Sequence, residues 1–99
     1  MELKKKEPLS YHSIPFSCIL GDTAIGTNVY ECRIFDYENS KLERVLVHAK
    51  NFGDVQWAMI GYTRKSLIIS NTSKSNVKHL VMPNDIGGQG YMIIVLRNR

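Results

Sequence analysis

The sequence predicts a mainly β (α+β) fold: a small antiparallel β-barrel or curved sheet of about six strands, with one short helix near residues 40–52. Three observations carry this. Apolar and polar side chains alternate with period two over residues 11–20 and 28–36. Clusters of Gly, Pro, Asn, Asp and Ser cut the second half into short apolar runs, as in all-β chains. Only residues 40–53 combine helical spacing with a capping signal. One helix and about six strands then leave a barrel or a bent sheet as the way to bury a single core.

Each element follows in order. Residues 1–10, MELKKKEPLS, are polar and charged, and Pro8 argues against a helix leading into the domain. They are expected to form a flexible basic arm, with 11–99 as one β-rich domain. In the first alternating run, His12, Ile14, Phe16, Cys18 and Leu20 share a face. Pro15 has no N–H for a ladder, which puts this strand at a sheet edge. In the second run, Tyr30, Cys32 and Ile34 share a face. A hairpin centred near Ile25 would set Cys18 against Cys32, Phe16 against Ile34 and Leu20 against Tyr30.

Residues 40–53 fit a helix better than a strand. Ser40 and Glu43 make a capping-box pattern, Leu42, Val45, Leu46 and Ala49 share a helical face, and Gly53 stands where a helix would stop. As a strand, Val45, Val47 and Ala49 would alternate with Arg44, Leu46 and His48. Val55–Tyr62 reads as a strand with Trp57 in the core, followed by a turn at Thr63-Arg64-Lys65 and a strand at 67–69. The polar loop 71–76, a strand at 77–82 stopped by Pro83, the mobile loop 84–90 and the apolar strand Tyr91–Leu96 complete the chain. That last strand is apolar enough to be central and covered on both faces.

Composition limits what the protein does. A chain of 99 residues buries roughly 65% of its unfolded surface, enough for one core. Its longest apolar run is six residues, far short of the roughly 20 needed to cross a bilayer, so no membrane is expected. Lys4-Lys5-Lys6 is not followed by an apolar signal segment, so a cytoplasmic protein is expected. Cys18 and Cys32 are read as buried thiols rather than a disulfide, and no Cys/His spacing suits zinc. No cofactor is expected.

Enzymatic chemistry is not expected either. Cys18 or Cys32 with His12, His48 or His79 has no triad signature, and the carboxylates Asp22, Glu31, Asp36, Glu38, Glu43 and Asp54 lie near turns or on solvent faces. Glu31 and Arg33 read as an outward-facing pair. Loop 85–90 is rich in glycine, but no helix follows it and it lacks the Lys-Ser/Thr of a phosphate loop.

Charge placement is more informative. Residues 1–20 carry a net +1, residues 21–60 a net −2 and residues 61–99 a net +5. The basic cluster of Arg64, Lys65, Lys74, Lys78, Arg97 and Arg99 thus suits a phosphate backbone. Tyr62 or Tyr91 is placed to stack on a base. The segment Leu67–His79, LIISNTSKSNVKH, also resembles the second motif of bacterial Sm-like RNA chaperones, with its apolar strand, polar Asn-Thr turn and Lys-His pair. That resemblance implies RNA contact by Lys78 and His79. It covers 13 residues, and the family's glycine-centred first motif is missing upstream.

The expected function is therefore a non-enzymatic binding protein for RNA or single-stranded DNA. The expected site is Tyr62, Arg64, Lys65, Lys74, Lys78, His79 and Arg99. The rival expectation is a protein–protein interaction module or a homo-oligomeric structural or inhibitor module using the edge strand at 11–20 or the apolar last strand.

Overall fold

The computed structural model describes residues 14–21 and 27–98; the expected arm at 1–10 and Arg99 lie outside them. Its elements are β1 (Phe16–Gly21), β2 (Asn28–Asp36), β3 (Lys41–Ala49), α1 (Phe52–Thr63), β4 (Ile68–Ile69), β5 (Val77–Val81) and β6 (Tyr91–Asn98). The strands form one six-stranded sheet in the order β1-β3-β2-β6-β5-β4. Every neighbouring pair is antiparallel except β1 with β3, which is parallel. The sheet is mixed and not closed into a barrel: β1 and β4 are its two edges.

Two segments exchange the states expected of them. Residues 41–49 form a strand, and residues 52–63 form the helix. Ser40 is not a helix cap; at φ 54° it ends the turn that joins β2 to β3. The Asp36 carboxylate accepts the backbone N–H and the side-chain amide of Asn39 and shapes that turn. Val45, Val47 and Ala49 then bury on one face and Leu42 and Leu46 fall on the other, so the same apolar residues satisfy period two. The helix begins where the expected one was to end, about three turns later in the chain. Asn51 caps it, its side chain accepting the N–H of Asp54 at 3.0 Å, and Gly53 sits in the first turn rather than after the last. Arg64 ends α1 in the left-handed conformation, its N–H donating to the Ile60 carbonyl.

This exchange corrects two further expectations. In a helix, Trp57 points away from Val55 and Met59; those two are fully buried, whereas Trp57 is 72% exposed. With residues 41–49 in the sheet, β3 occupies the place between β1 and β2. The two strands keep opposite directions, but Cys18 pairs with Val45 and Cys32 pairs with the other edge of Val45. The hairpin and its direct Cys18–Cys32 pairing are not formed.

One sheet face is covered by α1. Tyr30, Cys32 and Ile34 of β2, Val45, Val47 and Ala49 of β3, Tyr91, Ile93 and Val95 of β6 and Leu80 of β5 make the core with Val55 and Met59. The other face holds Glu31, Arg33 and Arg44. One Glu31 carboxylate oxygen accepts from Arg33 Nε at 2.9 Å and from Arg44 Nε at 3.0 Å. Arg44 is covered by the Phe16 ring, 4.0 Å from its guanidinium carbon, and also donates to the Ile14 carbonyl. Glu31 is 7% exposed and Arg44 9%, so the pair expected to face solvent is part of a buried ionic cluster. The apolar β6 lies between β2 and β5, with both edges hydrogen-bonded, so it offers no edge to a partner.

The segment after β5 is held by its own carboxylate. Asp85 accepts the N–H groups of Gln89, Gly90 and Tyr91 at 3.0, 2.9 and 3.2 Å, and its carbonyl accepts that of Gly88. Gly88, at φ 67°, packs against Val81 and Met92 on the sheet face away from α1. No helix among the described residues is long and apolar enough to cross a membrane.

Candidate functional site

Topology gathers cationic groups at the end of the sheet where α1 begins. Asn28 opens β2 and pairs with Ala49, the last residue of β3. Tyr30 pairs with Arg97, and Lys78 pairs with Val95. Lys78 and Arg97 therefore project from adjacent strands on the helix face, as diagonal neighbours about 7 Å apart at Cβ. Lys50 follows directly in the link to α1. These three cations line a cavity of about 280 Å³ with Asn28, Tyr30, Asn51, Phe52, Ser75, Asn76 and Val95, and no carboxylate lines it.

Buried Tyr30 and Val95 form an apolar floor. The Lys78 ammonium lies 5.7 Å from the centre of the Phe52 ring, within range of a cation–π contact that orients it. Asn28 braces the site: its side-chain oxygen accepts from Arg97 at 3.0 Å, and its amide donates to the Lys50 carbonyl at 2.9 Å. The first turn of α1 opens here too. Asn51 takes the N–H groups of Asp54 and Val55; those of Phe52 and Gly53 have no partner among the described residues. Three cations, a helix N-terminus and neutral amides make a place where negative charge is favoured. The cavity is large enough for a phosphate and part of what carries it.

The residues expected from the sequence divide between two ends of the molecule. Lys78 is in this pocket, and Lys74 precedes its Ser75 wall. Tyr62, Arg64 and Lys65 lie at the far end of α1, about 18 Å away for a helix of this length. That end is not purely basic, since Asp36, Glu38, Glu43 and Asp85 are there. The Tyr62 hydroxyl donates to the Glu43 carboxylate, which pushes its pKa up to about 12, helped by burial. Lys65 lies over the ring of Tyr91, 4.9 Å from its centre. Tyr91 is buried, and burial pushes its hydroxyl up to about 12. Neither tyrosine is laid open for a base to stack on.

His79 is on the opposite face of β5 from Lys78, because neighbouring strand residues alternate. Its Nδ1 is 2.8 Å from the Thr72 hydroxyl and its backbone N–H donates to Ser73, so the loop 70–73 engages it. Cys32 and Cys18 face α1, whereas His48 and His79 face away, so neither histidine lies beside a thiol. No cluster of His, Cys, Asp or Glu suited to a metal occurs among the described residues.

Lys50, Asn28 and Phe52 are the residues that charge counted along the chain does not assemble; Arg97 belongs to the basic cluster of the sequence but not to the site expected from it. Lys50 falls within the acidic middle of the sequence. A signal was nevertheless present: Lys78 shares its period-two face with Leu80, and Arg97 with Ile93 and Val95. Two basic residues thus end two core-facing rows. Compared with protein-family models, curated proteins and solved structures, the chain matches none.

Proposed function

We propose that this protein is a non-enzymatic, cytoplasmic binding protein that holds single-stranded nucleic acid, RNA or DNA, by a phosphate seated in the pocket at the start of α1. The observation that carries this is the convergence of Lys50, Lys78 and Arg97 on one carboxylate-free cavity at a helix N-terminus. Lys78 and Arg97 take the phosphate oxygens, with Arg97 presented by Asn28. The N–H groups of Phe52 and Gly53 supply uncharged donors. Lys74, outside the pocket mouth, meets a neighbouring phosphate. The two free thiols, Cys18 and Cys32, suit a reducing compartment.

Fluorescence anisotropy of a labelled mixed-sequence RNA and of a matching single-stranded DNA tests this. Binding is expected at low salt, with log K falling against log[salt] with a slope of about −1.4 for two neutralised phosphates. Lys78→Glu and Arg97→Glu should each remove it. Arg64→Glu/Lys65→Glu, at the other end, should leave it in place. Binding that survives reversal at Lys78 and Arg97 would overturn the assignment.

A further inference from the structure

The outer face of α1 carries a pattern that neither the core nor the pocket uses. Asp54, Trp57 and Gly61 are exposed and, at spacings of three and four, form one stripe along the helix, with the exposed left-handed cap Arg64 at its end. Trp57, the chain's single tryptophan, is 72% exposed. Gly61 is in the body of the helix, where glycine costs about 1 kcal/mol relative to alanine. A Cβ built there meets nothing within 4 Å, so this chain's own packing does not call for a glycine. A bulky apolar knob thus lies one turn from a notch, with an anion at one end of the stripe and a cation at the other.

The stripe is complementary to itself. Asp54 and Arg64 stand five positions either side of residue 59, and Trp57 and Gly61 stand two either side. If two such helices are laid antiparallel about a two-fold axis at that level, each Trp57 falls on the other chain's Gly61. In the same arrangement each Asp54 falls beside the other chain's Arg64. A two-fold interface requires this: a surface whose residues pair with one another's images. Glycine in the notch lets the helix axes approach toward the short end of the 8–10 Å packing range.

We propose that this face of α1 binds the same face of a second copy of the chain, Trp57 in the Gly61 notch and Asp54 paired with Arg64 at both ends. The charge complementarity selects the antiparallel second copy over an unrelated partner. A strip about 18 Å long and about 10 Å wide is far smaller than the roughly 800 Å² per partner of a stable complex, so the dimer is weak and concentration-dependent. It leaves the basic pocket of each copy open.

Sedimentation velocity and Trp57 emission, followed on the whole chain from about 10 µM to about 1 mM, test the proposal. The mass should climb from one chain toward two, and the emission should move to shorter wavelength as the indole leaves water. Gly61→Leu fills the notch without crowding the monomer. It should keep the circular dichroism and thermal midpoint of the parent or raise the latter, while holding the mass at one chain throughout. Asp54→Arg should weaken association, and Asp54→Arg with Arg64→Asp should restore it. A mass of one chain with constant emission over the whole range would overturn the proposal. So would a dimer that Gly61→Leu leaves intact, since that dimer would use another surface, such as the β1 edge.

Discussion

Cys18 and Cys32 lie on the same sheet face, one on each side of Val45, with the whole of β3 between them. Two strand spacings put them about 10 Å apart, well beyond the Cα separation a disulfide bridges. Burial, with the Glu31 carboxylate adding to it, pushes the Cys32 thiol up to about 12, so it is not a thiolate at neutral pH. Cys18 is on an edge strand and half-buried. In the native protein a thiol reagent should therefore modify Cys18 alone, and Cys32 only after unfolding. Mass spectrometry of peptides labelled before and after denaturant checks this. A Cys18–Cys32 disulfide after air oxidation of the folded chain would contradict the strand order.

The misplacement of β3 and the helix shows where this sequence is ambiguous. Leu42, Val45, Leu46, Val47 and Ala49 satisfy a helical stripe as well as they satisfy alternation. What decides is not local: β3 pairs along both edges, with β1 and β2, and its β-branched Val45 and Val47 suit that position. The true helix had its own signal, Asn51 followed three residues on by Asp54 and then Val55, Met59 and Tyr62 at helical spacing. Reading Gly53 as a stop hid it. By contrast, β2, β5 and β6 were legible to within about two residues, because clear alternation and turn residues bounded them. Two of the three cations of the basic site, Lys78 and Arg97, were legible as charge. Its location was not, since Lys50 and Arg97 meet only through pairing between distant strands.

The glycine-rich segment 84–90 looks in sequence like a mobile tip, or a cradle for an external phosphate. In the structure its N–H groups converge on a resident anion, the Asp85 carboxylate. Backbone hydrogen bonds, led by Gly90, hold that carboxyl below its usual value of 3.8. Its pKa is depressed on folding, so its stabilisation is present in full above that value and is lost as the pH falls below it. Asp85→Asn should cost about 1 kcal/mol at neutral pH, below the roughly 1.5–3 kcal/mol of a hydrogen bond to a charged group because the site is partly solvated. Denaturant midpoints measured against pH should converge for the two proteins on acidification. A gap that persists unchanged at low pH would show that the carboxylate's charge is not what orders the turn.

At the alkaline end, Tyr62 and Tyr91 add to Cys32, whose thiol is raised by burial from 9.0 to about 12. Both hydroxyls are raised from 10.0 to about 12, Tyr62 first by its bond to Glu43 and Tyr91 first by burial. A raised folded pKa means that their contribution is intact below pH 10 and is lost as the pH climbs toward 12. The protein should lose stability across that window, with phenolate absorbance rising together with unfolding. Tyr62→Phe frees Glu43 from the last turn of α1 and should flatten the Tyr62 part of this dependence.

The Glu31 carboxylate is shared by two guanidinium groups beneath Phe16, and this sets the cost of removing it. Taking one member from a buried ionic cluster leaves uncompensated charge, a loss of about 3–5 kcal/mol. Glu31→Leu should therefore lower the urea midpoint far more than a surface substitution does. Glu31→Leu with Arg44→Leu should be less destabilised than the sum of the two single changes, because the second removes the charge the first exposed. Strict additivity in that cycle would show that Glu31 and Arg44 are not energetically coupled.

Lys78 and Arg97 differ in what they bring to a phosphate, and the difference is measurable. They share one phosphate, which releases about 0.7 of a counterion from a single strand, so neutralising both with Gln should make the salt slope shallower by about that amount. Lys65→Gln, which removes a charge about 18 Å away, should leave the slope alone. Arg97 offers a planar fork already held at one nitrogen by Asn28, whereas Lys78 offers a point charge held by the Phe52 ring. Arg97→Lys should therefore weaken binding with the slope unchanged, since charge survives and geometry does not. Lys78→Arg should be tolerated better. Because both residues would address phosphate rather than bases, these losses should be the same for every oligonucleotide sequence tried, and a loss confined to one sequence would mean that the pocket reads a base instead.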